Sequence, residues 1–103
     1  MNNEKTSVQI PCQINGRLAH RIIYSVQPIK SSIFVFHNGR NVNAKSLLGI
    51  LSLQLKEKDI IDITCYHDNE YQVKEDIEEV GSLAGQIIDP LLFLQTKVLQ
   101  LKH

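Results

Sequence analysis

The chain has 103 residues, 43% of them hydrophobic and 21% charged, and its eleven basic and eleven acidic side chains cancel to a formal net charge of zero. That length suits one domain with one core, and the neutral balance offers nucleic acid or an anionic membrane no long-range attraction. Two cysteines without a C-x-x-C spacing (Cys12 and Cys65), no basic-then-apolar leader pattern and no apolar run near the roughly 18 residues of a membrane span read as a cytoplasmic protein with reduced thiols.

Residues Thr6 to Pro11 alternate apolar and polar side chains at Val8 and Ile10, the pattern of a half-buried strand that Pro11 ends. Arg17 to Val26 carries Leu18, Ile22 and Val26 at helical spacing with Ala19 and Ile23 beside them, and Asn15 is a suitable N-cap. Ser32 to His37 is β-branched and aromatic, so it predicts a strand. Asn38-Gly39 then signals a tight hairpin, and Arg40 to Asn43 supplies the return strand. Ser46 caps a short helix from Leu47 to Leu53. Ile60 to Tyr66 predicts another strand, His67-Asp68-Asn69 a turn, and Glu70 to Leu83 a helix with Val73, Ile77 and Val80 on one face. The order βαββαβα fits an α+β sandwich, an antiparallel sheet layered with helices.

The tail differs in character. Asp89-Pro90 resembles a helix start, with a carboxylate at the cap and proline at the first helical position. From Pro90 to Lys102, Leu91, Leu94, Val98 and Leu101 share one face. An apolar stripe of that length is rarely left in water, so residues 89–102 are expected to pair across a two-fold axis in a homodimer, or else to brace their own domain. The division expected is a domain over 1–85 and an amphipathic helical extension over 86–103.

The segment Val42-Asn43-Ala44-Lys45-Ser46-Leu47-Leu48-Gly49-Ile50-Leu51-Ser52-Leu53 resembles the regulatory-serine helix of the HPr phosphocarrier proteins of the bacterial sugar phosphotransferase system. Val42, Asn43, Lys45, Ser46, Gly49, Ser52 and Leu53 fall in the family's places, and the likeness runs without a gap from about Val8 to Val80. The resemblance implies an open-faced β-sandwich, with four antiparallel strands and three helices on one side. HPr proteins carry a phosphoryl-accepting histidine just before the first helix. Here the matching segment reads Gln13-Ile14-Asn15-Gly16-Arg17-Leu18-Ala19, so Asn15 stands in the acceptor position while Arg17 and Ala19 are kept.

That exchange decides the chemistry. A phosphoryl acceptor needs a nitrogen lone pair, which imidazole has near neutral pH and a delocalised amide lacks. His20 is the nearby substitute, but it lies inside the helix, and placing it at the acceptor would need a five-residue gap that breaks the match at Arg17. Loss of the histidine with retention of the serine is similar to the Crh branch of the family. The resemblance then implies phosphorylation of Ser46 by HPr kinase/phosphorylase. It also implies docking on a LacI-type catabolite control regulator through Arg17, His20, Leu47, Leu48 and Leu51, with Arg17 contributing from an adjacent helix mouth. Two other readings stay open: a phosphocarrier using His20, and an interaction or assembly module without either phosphorylation.

Neither a metal nor a cofactor is expected. Cys65 and His67 share a strand face, with His20 and His37 elsewhere, but no second close ligand pair exists. Glu75-Asp76 and Glu78-Glu79 read as the solvated face of the last helix. No glycine-rich phosphate loop or triad spacing points to an enzyme, and the outer face of the sheet is expected to be polar from Ser32, Asp62 and Thr64.

Overall fold

The computed structural model describes residues 1–84. Its elements are β1 (Asn2–Gln9), α1 (Gly16–Val26), β2 (Ser32–His37), β3 (Arg40–Asn43), α2 (Leu47–Ser52) and β4 (Ile60–His67). A third helix, α3, occupies residues 70–84. The strands form one sheet in the order β1-β4-β2-β3, antiparallel throughout. The expected α+β architecture of four strands and three helices is present.

Local chemistry explains each turn and cap. Asn38 and Gly39 both take positive φ, at 50° and 80°, as a two-residue hairpin between His37 and Arg40 requires. Asn15 caps α1 by accepting the Leu18 N–H at 2.9 Å. Asn69 caps α3 by accepting from the N–H groups of Tyr71 and Gln72 at 2.9 and 3.1 Å.

Alternation divides the sheet into two faces. Ile33 and Val35 of β2 and Ile61, Ile63 and Cys65 of β4 are buried together with Ala19 and Val26 of α1, Ile50 of α2, and Val73 and Val80 of α3. Covering that face removes the large apolar side chains from water, each worth about 1.5–3 kcal/mol.

Several boundaries and faces differ from the sequence expectations. β1 begins at Asn2 rather than Thr6, because Asn2 to Lys5 pair with His67 to Thr64 through backbone groups and need no apolar alternation. His67 likewise belongs to β4 rather than to the turn. α2 ends at Ser52 with Leu53 as its C-cap, one residue sooner than expected. The outer face is more apolar than Ser32, Asp62 and Thr64 suggest. Phe34 packs edge-on against Tyr66 with ring centroids 5.7 Å apart, while Phe36 and Ile60 are exposed there. The boundary at residue 85 and the expected helix over 90–102 lie outside the described residues.

The largest correction concerns Asp76, which is 2% exposed and not on a solvated face. Its Oδ2 accepts from the Ser31 hydroxyl at 2.5 Å and the Ser31 N–H at 2.9 Å, and its Oδ1 accepts from the Gln72 amide at 2.8 Å. It sits three residues after Val73 and four before Val80, on the buried side of α3. There it ties the helix to the residue that leads into β2. Burial by itself pushes the carboxyl pKa up. The Ser31 hydroxyl, the Gln72 amide, the Ser31 N–H and the nearby His67 together outweigh that, and hold it below the ordinary aspartate value.

A depressed carboxyl pKa contributes stability above the unfolded-state value, about 3.9, and that contribution is lost as pH falls through the folded value. Asp76→Asn is therefore expected to cost about 2 kcal/mol at pH 7, since Ser31 loses its charged acceptor. In urea titrations across pH, the gap between wild type and variant should narrow below about pH 4. A gap independent of pH would count against the charged network. The two thiols give a second check. Burial, and then repulsion from Asp76, push the Cys65 thiol up to about 11, with Lys45 opposing. Cys65 should stay inert to a thiol reagent at pH 8 until the protein unfolds, whereas half-buried Cys12 should react first.

Candidate functional site

Two helix starts hold the residues singled out by the sequence. At α1, the Asn15 carbonyl oxygen of the side chain is occupied in capping, and its amide nitrogen offers no nucleophilic lone pair. Arg17 follows in the first turn, which contains no acidic residue. A cation there meets the positive end of the helix dipole, so the mouth of α1 is suited to an incoming anion. His20 is exposed, one turn further on.

At α2, the Ser46 oxygen accepts the Gly49 N–H at 3.1 Å. It does so as an acceptor, so the hydroxyl keeps its own hydrogen for transfer to a base. Gly49 sits at a close approach: a Cβ there would lie 3.2 Å from Cβ of Val42 and 3.3 Å from Oγ of Ser46, so a larger residue would make Val42 and the cap give by a few tenths of an ångström. The glycine inside the apolar run therefore lets α2 settle on β3 with its cap in place. At the other end, Arg40 of β3 donates to the Ser52 carbonyl at 3.0 Å, a cation on the negative end of α2.

The leucines of α2 divide. Leu48 is 80% exposed and Leu47 is exposed beside it, whereas Leu51 is half-buried and packs against the core. Ile50 is fully buried and anchors the helix. Leu47 and Leu48 form the apolar surface, and Leu51 reaches it only in part.

The two helix starts are not neighbours. The Gln27 amide, at the end of α1, donates to the Lys45 carbonyl at 3.2 Å, and the Ile14 N–H donates to the Leu55 carbonyl at 2.9 Å. α1 and α2 therefore run antiparallel, and Ser46 sits beside the end of α1 that lies away from Arg17. Ten residues of helix, about 15 Å of axis, separate Arg17 from Gln27. The expectation that Arg17 contributes from an adjacent helix mouth is corrected accordingly. Between them the structure places exposed His20, Arg21 and Tyr24, the last 77% exposed. Arg21 and Tyr24 were missed in the sequence, although Arg17, His20, Arg21 and Tyr24 recur at i, i+3, i+4 and i+7, opposite the Leu18, Ile22 and Val26 stripe.

Among the described residues no group of three His, Cys, Asp or Glu side chains could hold a metal ion, and no helix is long and apolar enough to cross a membrane. His67 Nδ1 accepts the Asn69 N–H at 2.9 Å, and His37 Nδ1 donates to the Ile60 carbonyl at 3.1 Å. Both rings are thus occupied in backbone contacts.

Comparison with known proteins bears on this arrangement. The family described as PTS HPr component phosphorylation site matches residues 3–82. The phosphocarrier protein HPr of Bacillus anthracis str. Ames superposes with a TM-score of 0.69 at 25% identity, over 80% of this chain and 96% of that one. An HPr dimer from Thermoanaerobacter tengcongensis gives 0.55 at 22% identity, over 72% and 83%. The catabolite repression protein Crh of Bacillus subtilis, solved as a swapped dimer, gives 0.50 at 23% identity, over 80% and 95%. With its four-stranded sheet, its capped helix starts and a family match over residues 3–82, the chain belongs to the HPr family of the phosphotransferase system.

Proposed function

We propose that this chain is a regulatory HPr-family protein of the Crh type, acting in carbon catabolite control, phosphorylated on Ser46 by HPr kinase/phosphorylase and unable to relay phosphate through histidine. The observation that carries the reading is the pairing of Asn15, an amide occupied in capping at the acceptor position, with Ser46, whose hydroxyl hydrogen is free beside exposed Leu47 and Leu48. A phosphate on Ser46 adds a charge of about −1.5 to −2 at the start of α2. The exposed Leu47 and Leu48 then lie beside a dense anion, and the exposed stripe of Arg17, His20, Arg21 and Tyr24 along α1 adds cationic contacts further from it. A LacI-type regulator supplying an arginine or lysine to that anion fits such a surface, with the phosphoprotein as corepressor.

Self-association through residues 89–102 is the second part of the proposal. The dimers of the Thermoanaerobacter HPr and of Crh support an HPr fold that tolerates pairing.

Incubation with HPr kinase/phosphorylase and ATP should place one acid-stable phosphate on Ser46, read by intact mass and fragmentation. Ser46→Ala should abolish it and, by removing the cap, lower stability by about 1 kcal/mol, whereas Ser46→Asp should restore most of that stability. Incubation with enzyme I and phosphoenolpyruvate should leave the chain unmodified, and acid-labile phosphohistidine at His20 would overturn the regulatory reading in favour of a phosphocarrier. A chain that takes phosphate from neither donor is an interaction module. For the dimer, light scattering on the wild type should give twice the mass found for a Leu94→Asp, Leu101→Asp variant; equal masses would remove this part.

A further inference from the structure

The helices cover one face of the sheet, and among the described residues no second layer covers the other. The centre of that open face is aromatic. Phe34 and Tyr66 pack edge-on there, Phe36 is 44% exposed beside Asp62, and Ile60 is 61% exposed at the start of β4. Single exposed apolar side chains are ordinary, but contiguous ones rimmed by polar groups mark a contact surface.

Two charges flank the aromatic residues. By strand alternation, Lys5 of β1 and Asp62 of β4 are the only charged residues on this face among the described strands. Lys5 stands opposite Thr64 and Asp62 opposite Ser7, so the two are diagonal neighbours about 7–8 Å apart, and no ion pair joins them. Asp62 accepts only the Ser7 hydroxyl, at 2.7 Å. One cation and one anion on an otherwise neutral face attract neither nucleic acid nor an anionic membrane. They suit a surface that carries the same two charges in the opposite order. A second copy of this face is such a surface.

We infer that two copies of the chain pack together by this open face about a two-fold axis, with Lys5 of each on Asp62 of the other, as a self-complementary interface requires. Strands lie about 4.8 Å apart and same-face residues about 6.8 Å apart along a strand, so an in-plane axis that exchanges Lys5 with Asp62 passes beside Phe34. The two Phe34 side chains then meet near the axis, and Tyr66 lies toward Phe36 of the other copy. The strands of the two sheets cross steeply, as in orthogonal sheet packing. The face offers on the order of 400 Å² per copy, about half of a standard interface, so the association is weak and depends on concentration. It leaves both helix starts open and uses no residue beyond 84. It therefore stands apart from the Ser46 reading and from pairing through residues 89–102.

Sedimentation equilibrium on the full chain tests it, in the Leu94→Asp, Leu101→Asp background so that pairing through the tail does not contribute. The average mass should rise from one chain toward two between micromolar and millimolar concentration. Lys5→Glu and Asp62→Lys should each weaken this association by about tenfold or more, since each brings like charges together. The two changes combined should restore it, because the exchanged charges meet again across the axis. Phe36→Ser should abolish it. All three sites are exposed, so each variant should keep a cooperative melt. A monomer at every concentration, the result if the chain's own tail or another partner occupies the face, would overturn the inference. Single reversals without effect, or a double reversal no better than the singles, would do the same.

Discussion

The position of β4 in the middle of the sheet is the constraint on which the molecule rests. β4 pairs with β1 along eight residues on one side and with β2 along five on the other. Its inward residues Ile61, Ile63 and Cys65 therefore have core neighbours on both flanks and helices above them. Removing β4 would separate β1 from the β2–β3 hairpin and take Ile61, Ile63 and Cys65 out of the core. The helices depend on the same strand. α1 and α2 are the connections that carry the chain over the sheet before β4 returns to close it, and their antiparallel contact follows from that route.

α3 is held by different means. Its Val73 and Val80 pack like any core residues, but between them Asp76 makes directed bonds to Ser31 at the entry of β2. Apolar packing is tolerant of small rotations of a helix, whereas a carboxylate sharing three donors is not. The polar network thus sets the rotation of α3, and the hydrophobic face supplies most of the adhesion.

The sequence is legible where one residue type answers one geometric demand. Asn38-Gly39 requires positive φ at two positions, and Asn15 and Ser46 offer an oxygen to an orphan N–H; all three were foreseeable without coordinates. The inward alternation of β2 and the Val73–Val80 spacing were equally plain. Legibility fails where a residue's surroundings come from distant parts of the chain. Asp76 lies in a run of carboxylates, and only the arrival of Ser31, 45 positions away, makes it buried. β1 extends to Asn2 because β4 offers hydrogen bonds, not because Asn2 to Lys5 have any pattern. Arg17 was expected at a helix mouth adjacent to Ser46 from the family resemblance. Their separation along α1 depends on the antiparallel course of two helices, which no local spacing encodes.

The β1–β4 register also fixes an order of events in time. Every residue of β1 finds its partner in β4 more than fifty positions later in the chain. During synthesis β1 emerges first and has no pairing partner until almost the whole described region has been made, since chains are produced at about 5–20 residues per second. Its Val8, and Ile10 just beyond it, must wait in water for seconds, while the β2–β3 hairpin can close in microseconds. Loop closure over that distance places β1 docking among the late and slow steps of folding. The polar residues Asn3, Lys5, Ser7 and Gln9 on its other face keep the waiting strand soluble and give stray edges less to adhere to.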